Sequence, residues 1–214
     1  CGAAQSNHSR QTAAAAARFG FDCALALRGT PPDRVQGNLL LDHLLGAEIF
    51  WAGDEPLTEA LERTAEVLRG RGRSPYVVPY GGSNVIGVSG YVAAMEELLD
   101  QCAARDIDFD HIVLASSSGG TQAGLVVGAR ALGYPGRILG ISVEPAAEEL
   151  RTTLAGLATA TAAHLGLKFT LAPEDFAVDD AYLGAGYAQV ADLERNAIRT
   201  MAQVEGILLD PAYT

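Results

Sequence analysis

Lysine is almost missing from this chain: Lys168 stands alone, and the other fourteen of its fifteen basic residues are arginines. Chemistry that needs a buried amine within these 214 residues has one candidate, and that one is expected on the surface, because lysines are seldom fully buried. Cysteine is scarce too. Cys1, Cys23 and Cys102 are odd in number and widely spaced, which fits free thiols in a reducing, cytoplasmic setting better than a disulfide framework. The longest alanine run, 13–17, is far too short to cross a bilayer, so no membrane partner is expected. No basic segment followed by an apolar one marks a signal peptide. Positive charge is in deficit: a net charge of −11 repels polyanions over most of the surface and argues against a nucleic-acid partner. The P-loop Gly-Lys-Ser/Thr, the dinucleotide Gly-x-Gly-x-x-Gly, the Gly-x-Ser-x-Gly elbow and His-Glu-x-x-His are all absent. His8, His43, His111 and His164 show no ligand spacing, so no metal is expected.

What is present is an alternation. Aromatics make up only 7% of a chain that is 49% hydrophobic and holds 24 glycines, a composition suited to helices packed closely on sheets. Ser6 or Asn7 can cap a helix through the alanines to Phe19, and Gly20 stops it. Strands are expected at 22–27, 48–51, 76–78, 111–115, 137–143 and 207–209. Helices are expected at 38–45, 57–69, 87–104, 121–132, 146–165 and 188–203, with a loop over 175–187. Strands alternating with helices imply parallel βαβ units and an α/β fold. A division near 82–90, placed at 88, gives a smaller α/β domain over 1–88, which includes the first helix. A larger α/β domain over 89–214 then carries the phosphate-type loop described next. The chain opens on Cys1 and stops at Thr214 straight after an apolar stretch, and both ends are expected to be cuts.

Four segments could carry chemistry. In Ser116-Ser117-Ser118-Gly119-Gly120-Thr121, between an apolar strand and a helix, backbone N–H groups can converge on an anion with no side chain in the way. Gln5-Ser6-Asn7-His8 brings four hydrogen-bonding residues into a helix start, where an N-cap box is the plain alternative. Pro79-Tyr80-Gly81-Gly82-Ser83-Asn84 has the composition of a turn before a helix. Leu209-Asp210-Pro211-Ala212-Tyr213-Thr214 reads as a strand end with a turn.

In this order, with Gly37-Asn38-Leu39-Leu40-Leu41-Asp42, Gly90-Tyr91 and Gln122-Ala123-Gly124-Leu125 between them, these segments resemble the D-cysteine desulfhydrase and 1-aminocyclopropane-1-carboxylate (ACC) deaminase family over essentially the whole chain. The resemblance implies a fold-type II pyridoxal-phosphate (PLP) architecture, tryptophan synthase β-like. Two parallel-sheet, three-layer α/β/α domains then flank the cofactor cleft. It implies that Ser118, Gly119, Gly120 and Thr121 hold the PLP phosphate and that Asn7 bonds the ring hydroxyl of the same coenzyme. Ser6 becomes the active-site hydroxyl, Tyr187 and Tyr213 orient substrate or move protons, and Gln5, His8 and Thr214 bind substrate. The Schiff-base lysine of the family lies upstream of Gln-Ser-Asn-His, before Cys1, and the segment facing the pyridine nitrogen lies beyond Thr214.

PLP is the electron sink of such enzymes, so the protein has only to hold, tune and supply a base. ACC deaminases typically carry glutamate where this chain has Thr214. The hydroxyl favours β-elimination of a small amino acid, with D-cysteine going to pyruvate, ammonia and hydrogen sulfide, over ring opening. L-cysteate sulfo-lyase and ACC deaminase activities are the neighbouring alternatives. A catalytically inactive PLP-fold fragment or binding module is the alternative of another class, and a sugar-phosphate isomerase sharing only the phosphate loop is a remote one. The resemblance also implies a homodimer.

Overall fold

A computed structural model describes residues 1–184, 186, 189–211 and 213. They form two compact units, Cys1–Gly82 and Ser83–Thr214. The expected division at 88 falls inside a helix, Val85–Ala103, that belongs wholly to the second unit.

The first unit holds α1 (Asn7–Phe19), β1 (Ala24–Leu27), α2 (Gly37–Leu44), β2 (Glu48–Trp51), α3 (Leu57–Gly70) and a closing 3-10 turn, Tyr80–Gly82. β1 and β2 pair in parallel, Ala24 with Glu48 through Leu27 with Trp51, and Gly2 adds a parallel bridge to Leu27 on β1. Side chains alternate across a strand, and here that alternation sorts the core. Leu25 and Leu27 pack with Ala13 of α1 and Leu39 of α2, while Ala26 packs with Leu57 and Ala60 of α3. A cleft of about 940 Å³ opens beside β1, lined by His8, Thr12 and Ala16 of α1 and by Thr64 and Ala65 of α3.

The second unit holds α4 (Val85–Ala103), β3 (His111–Ser116), α5 (Gly120–Leu132), β4 (Arg137–Ser142), α6 (Ala147–His164), β5 (Ala177–Asp179) and α7 (Asp192–Glu205). The strands form a parallel sheet in the order β3-β4-β5. Val88, Ala123, Val127, Leu150, Leu154 and Val178 make its main core, and Met95, Leu125, Ala129 and Ile138 a second. α4 and α5 pack closely because Gly124 has no side chain: a Cβ there would meet the Val88 carbonyl oxygen and the Tyr91 Cβ, each at 2.5 Å. On the face of β3 turned away from this core, Val113 is 62% exposed.

Four expectations differ from the structure. Residues 76–78 and 207–209 form no strand: Tyr76 is 74% and Leu208 85% exposed, and an apolar triplet without a neighbouring strand has nothing to complete its hydrogen bonds. β5 lies inside the stretch expected to be loop. Three residues ending in Asp179 give almost no periodic signal, and the strand is fixed from outside. Gln122, fully buried on α5, donates to the Ala177 carbonyl (2.8 Å), and Arg151 donates to Phe176 (3.2 Å) and Val178 (3.0 Å). A Cβ at Gly140, next to β5 in the sheet, would overlap the Gln122 amide. α7 begins at Asp192 rather than 188, where the Glu194 carboxylate accepts the Ala191 N–H (2.8 Å).

Candidate functional site

In the first unit the Gln-Ser-Asn-His segment is a helix start. Ser6 has extended backbone and its Oγ accepts the Ser9 N–H at 3.1 Å, so this hydroxyl serves as the N-cap of α1. Capping uses a lone pair and leaves the hydroxyl proton to be directed elsewhere. Gln5 and Asn7 are set by a residue outside the segment. The Asn38 N–H donates to Gln5 Oε1 (2.8 Å), and its side-chain amide donates to the Gln5 carbonyl (2.9 Å) and to Asn7 Oδ1 (2.8 Å). Gln5 Nε2 donates to the Gln36 carbonyl (3.1 Å). With Oδ1 taken by Asn38, the remaining polar end of the Asn7 amide is a donor, the polarity a ring hydroxylate oxygen requires. Asn38 was legible as part of a motif but carried no assigned role; its i+31 pairing with Asn7 has no periodic signature.

His8 faces the cleft beside β1. Burial lowers its pKa from 6.5 to about 4, so its imidazole is neutral at physiological pH. A Cβ on Gly82 would stand 3.1 Å from its Cε1.

Nearby, Asp42 of α2 is 1% exposed. Neither of its carboxylate oxygens has a hydrogen-bond partner among the described residues, and burial raises its pKa.

In the second unit the serine-glycine loop joins β3 to α5. Gly119 is the N-cap of α5, at φ +85° and ψ −12°, a left-handed conformation disfavoured for residues with a Cβ. No side chain caps this helix, and the first N–H groups of a helix have no partner within it. The small partial positive charge at a helix start then faces the loop. The three serines are sorted by their partners. Ser116 is buried at the end of β3, Ser117 Oγ donates to the Glu144 carboxylate (3.3 Å), and Ser118 Oγ pairs with Ser83 Oγ (2.8 Å). A Cβ on Gly120 would lie 2.8 Å from that same Ser83 oxygen, so glycine at 120 leaves room for Ser83 against the loop. A helix start with no capping side chain, entered through a left-handed glycine, fits a phosphate monoester.

Tyr213 lies in the turn after α7, its N–H donating to Asp210 Oδ1 (2.9 Å). Tyr187 and Thr214 lie outside the described residues. Lys168 is exposed in the connection after α6. Among the described residues no group of His, Cys, Asp and Glu could hold a metal ion, and no helix is long and apolar enough to cross a membrane.

A family model described as "Pyridoxal-phosphate dependent enzyme" matches residues 1–214. A Pyrococcus furiosus relative named for 1-aminocyclopropane-1-carboxylate deaminase is 36% identical, the match covering all of this chain and 64% of that protein. The D-cysteine desulfhydrase of Yersinia pestis (strain Pestoides F) is 38% identical, over all of this chain and 66% of its own length. The chain thus spans just under two thirds of the curated relatives it matches. The solved structure of an ACC deaminase homologue superposes with a TM-score of 0.87 at 37% identity, covering 99% of this chain and 63% of that one. Maize serine racemase, 18% identical, shares the fold with a TM-score of 0.57, over 99% of this chain and 62% of its own.

Proposed function

Because this chain belongs to the family of pyridoxal-phosphate dependent enzymes, we propose that it is the cofactor-holding part of a lyase that deaminates a small amino acid by β-elimination. The observation that carries the reading is the uncapped, glycine-walled start of α5 directly after β3. It is what a phosphate monoester needs, in a chain that the family model matches throughout.

When bound, PLP supplies the conjugated ring over which the electron pair left by α-proton removal is delocalised. The chain's own residues supply the rest. Backbone N–H groups of Ser118, Gly119, Gly120 and Thr121, with the Ser118 and Thr121 hydroxyls, hold the phosphate. Asn7, turned by Asn38, donates to the ring hydroxyl oxygen. The Ser6 hydroxyl, positioned by its bond from the Ser9 N–H, meets the substrate carboxylate or the reacting carbon. Gln5, His8 and Thr214 line the substrate, and Tyr187 and Tyr213 orient it or pass a proton. Neutral His8 can donate or accept one hydrogen bond there without adding charge. The α-proton goes to a lysine that Lys168, exposed after α6, does not provide.

The preferred substrate is D-cysteine, which with one water gives pyruvate, ammonia and hydrogen sulfide. The name of the Yersinia relative and the hydroxyl residue Thr214 support that choice. The names of the Pyrococcus relative and of the solved homologue keep ACC as the second reading. A cytoplasmic homodimer completes the proposal. The test is 2-oxo acid release by the whole protein from D-cysteine, L-cysteate and ACC assayed in parallel, with molar mass from light scattering. Release from D-cysteine with sulfide in equal amount is expected; turnover of ACC alone overturns the substrate, and a protein that never takes up PLP overturns the function.

A further inference from the structure

Three consecutive serines enter α5, and their partners make them unequal. The Ser117 proton goes to a carboxylate, Glu144, so that hydroxyl is committed and has a negative neighbour, a poor partner for an anion. Ser118 Oγ instead lies 2.8 Å from another hydroxyl, Ser83 Oγ; either can donate to the other, and a bound phosphate, which only accepts, draws the Ser118 proton and leaves Ser83 as the donor of the pair. A hydroxyl has one proton to give; once its lone pair is occupied by Ser83, the Ser118 proton must go to a different acceptor. Ser83 is delivered to this place by local chain geometry. Gly81 and Gly82 both take left-handed backbone, at φ +64° and +63°, and Asn84 caps α4 by accepting the N–H groups of Ile86 (3.1 Å) and Gly87 (2.9 Å). Ser83 is therefore pinned between a two-glycine turn and a helix cap. Its oxygen is also the atom that a side chain at 120 would strike.

We propose that Ser83 is a positioning residue of the phosphate cup: by donating to Ser118 Oγ it turns the Ser118 proton toward the bound phosphate. It rests on reading this loop as the phosphate site and adds a residue that never needs to touch the cofactor. Ser83 acts through Ser118 alone, and this separates it from a merely structural side chain.

The test is a double-mutant cycle on the whole protein, read by the dissociation constant for PLP from its visible absorbance, with pyridoxal, which lacks the phosphate, as the matched probe. Ser83→Ala weakens PLP binding about fivefold, the loss expected for one hydrogen bond, and leaves pyridoxal binding unchanged. Ser118→Ala weakens PLP more. Adding Ser83→Ala to Ser118→Ala then changes nothing further, the non-additivity expected of two groups on one path. Ser83→Thr, which keeps the hydroxyl, stays within twofold of wild type and serves if the alanine variant does not fold. Unchanged PLP affinity in Ser83→Ala, equal losses for PLP and pyridoxal, multiplied losses in the double variant, or a Ser83→Thr variant as impaired as the alanine one would each overturn the positioning role. A wild-type protein that binds neither probe removes the phosphate-site reading itself, and the role of Ser83 with it.

Discussion

The two units hold the residues proposed to bind the coenzyme in opposite ways. In Cys1–Gly82 the polar groups are side chains held by other side chains, with Asn38 ordering Gln5 and Asn7 from over thirty residues away. In Ser83–Thr214 the cup is made by leaving side chains out, at Gly119, Gly120 and the uncapped start of α5. An amide network can choose the polarity of one atom but depends on every partner. A helix start built on glycines depends above all on nothing being added, with the Ser83 and Ser118 hydroxyls as its side-chain part. Substitutions should therefore hurt the first unit chiefly by subtraction, and the second by addition at its glycines as well as by loss of the Ser83–Ser118 pair.

The largest effect is expected from addition. Gly124→Ala places a methyl group against backbone at the α4–α5 contact and should lower stability by about 3 kcal/mol, the upper part of the range for overpacking, in urea denaturation. An equally stable variant would mean that the helices separate easily and that the cup does not need their close approach. Next comes subtraction: Asn38→Ala removes the two bonds that its side-chain amide makes to Gln5 and Asn7 and keeps the one from its backbone N–H, at about 2 kcal/mol. If a double variant with Asn7→Ala were no less stable than Asn7→Ala alone, the network would be reduced to a single pair.

Ser6 sharpens the comparison, because it is both a cap and a proposed reactive hydroxyl. Ser6→Ala should lose about 1 kcal/mol of stability while Ser6→Gly loses only a few tenths. Both should lose turnover alike if the hydroxyl meets substrate; activity that follows stability instead would leave Ser6 a cap and nothing more.

The smallest effects are titrations, and they have opposite signs within one unit. His8 has its pKa lowered to about 4, so below 6.5 the unfolded chain binds a proton that the folded one refuses. Its contribution is intact above 6.5 and is lost as pH falls toward 4. Asp42 has its pKa raised, so the folded chain keeps a proton that the unfolded chain releases, and stability falls as pH rises above the ordinary carboxyl range. His8→Gln should flatten the acid limb of a melting-temperature profile, and Asp42→Asn should raise the melting temperature at neutral pH. A neutral-pH melting temperature that falls in Asp42→Asn would show that the carboxylate has a partner after all.

Much of the architecture was legible in the sequence because helix punctuation was strong. Ser6 and Gly20 bracket α1 as expected, and β3, α5 and β4 lie within a residue or two of their predicted bounds. What escaped was long-range. β5 depends on Gln122 and Arg151, and the strands expected at 76–78 and 207–209 had apolar residues but no neighbour. At the candidate site, residue types and the phosphate-type loop could be read directly, as Gly119 and Gly120 are the rare residues that leave a helix start open. Asn38 and Ser83 sat inside quoted motifs, yet their work is a hydrogen bond to a distant partner, and spacing along the chain carries no record of that.

Gln122 beneath Gly140 has a last consequence. The amide that ties down β5 occupies the space where a neighbouring strand would otherwise project a side chain, so the two positions share one volume and are not free to change independently. A homologous chain with alanine at 140 has to carry something shorter than glutamine at 122, and must then secure its third strand by other means.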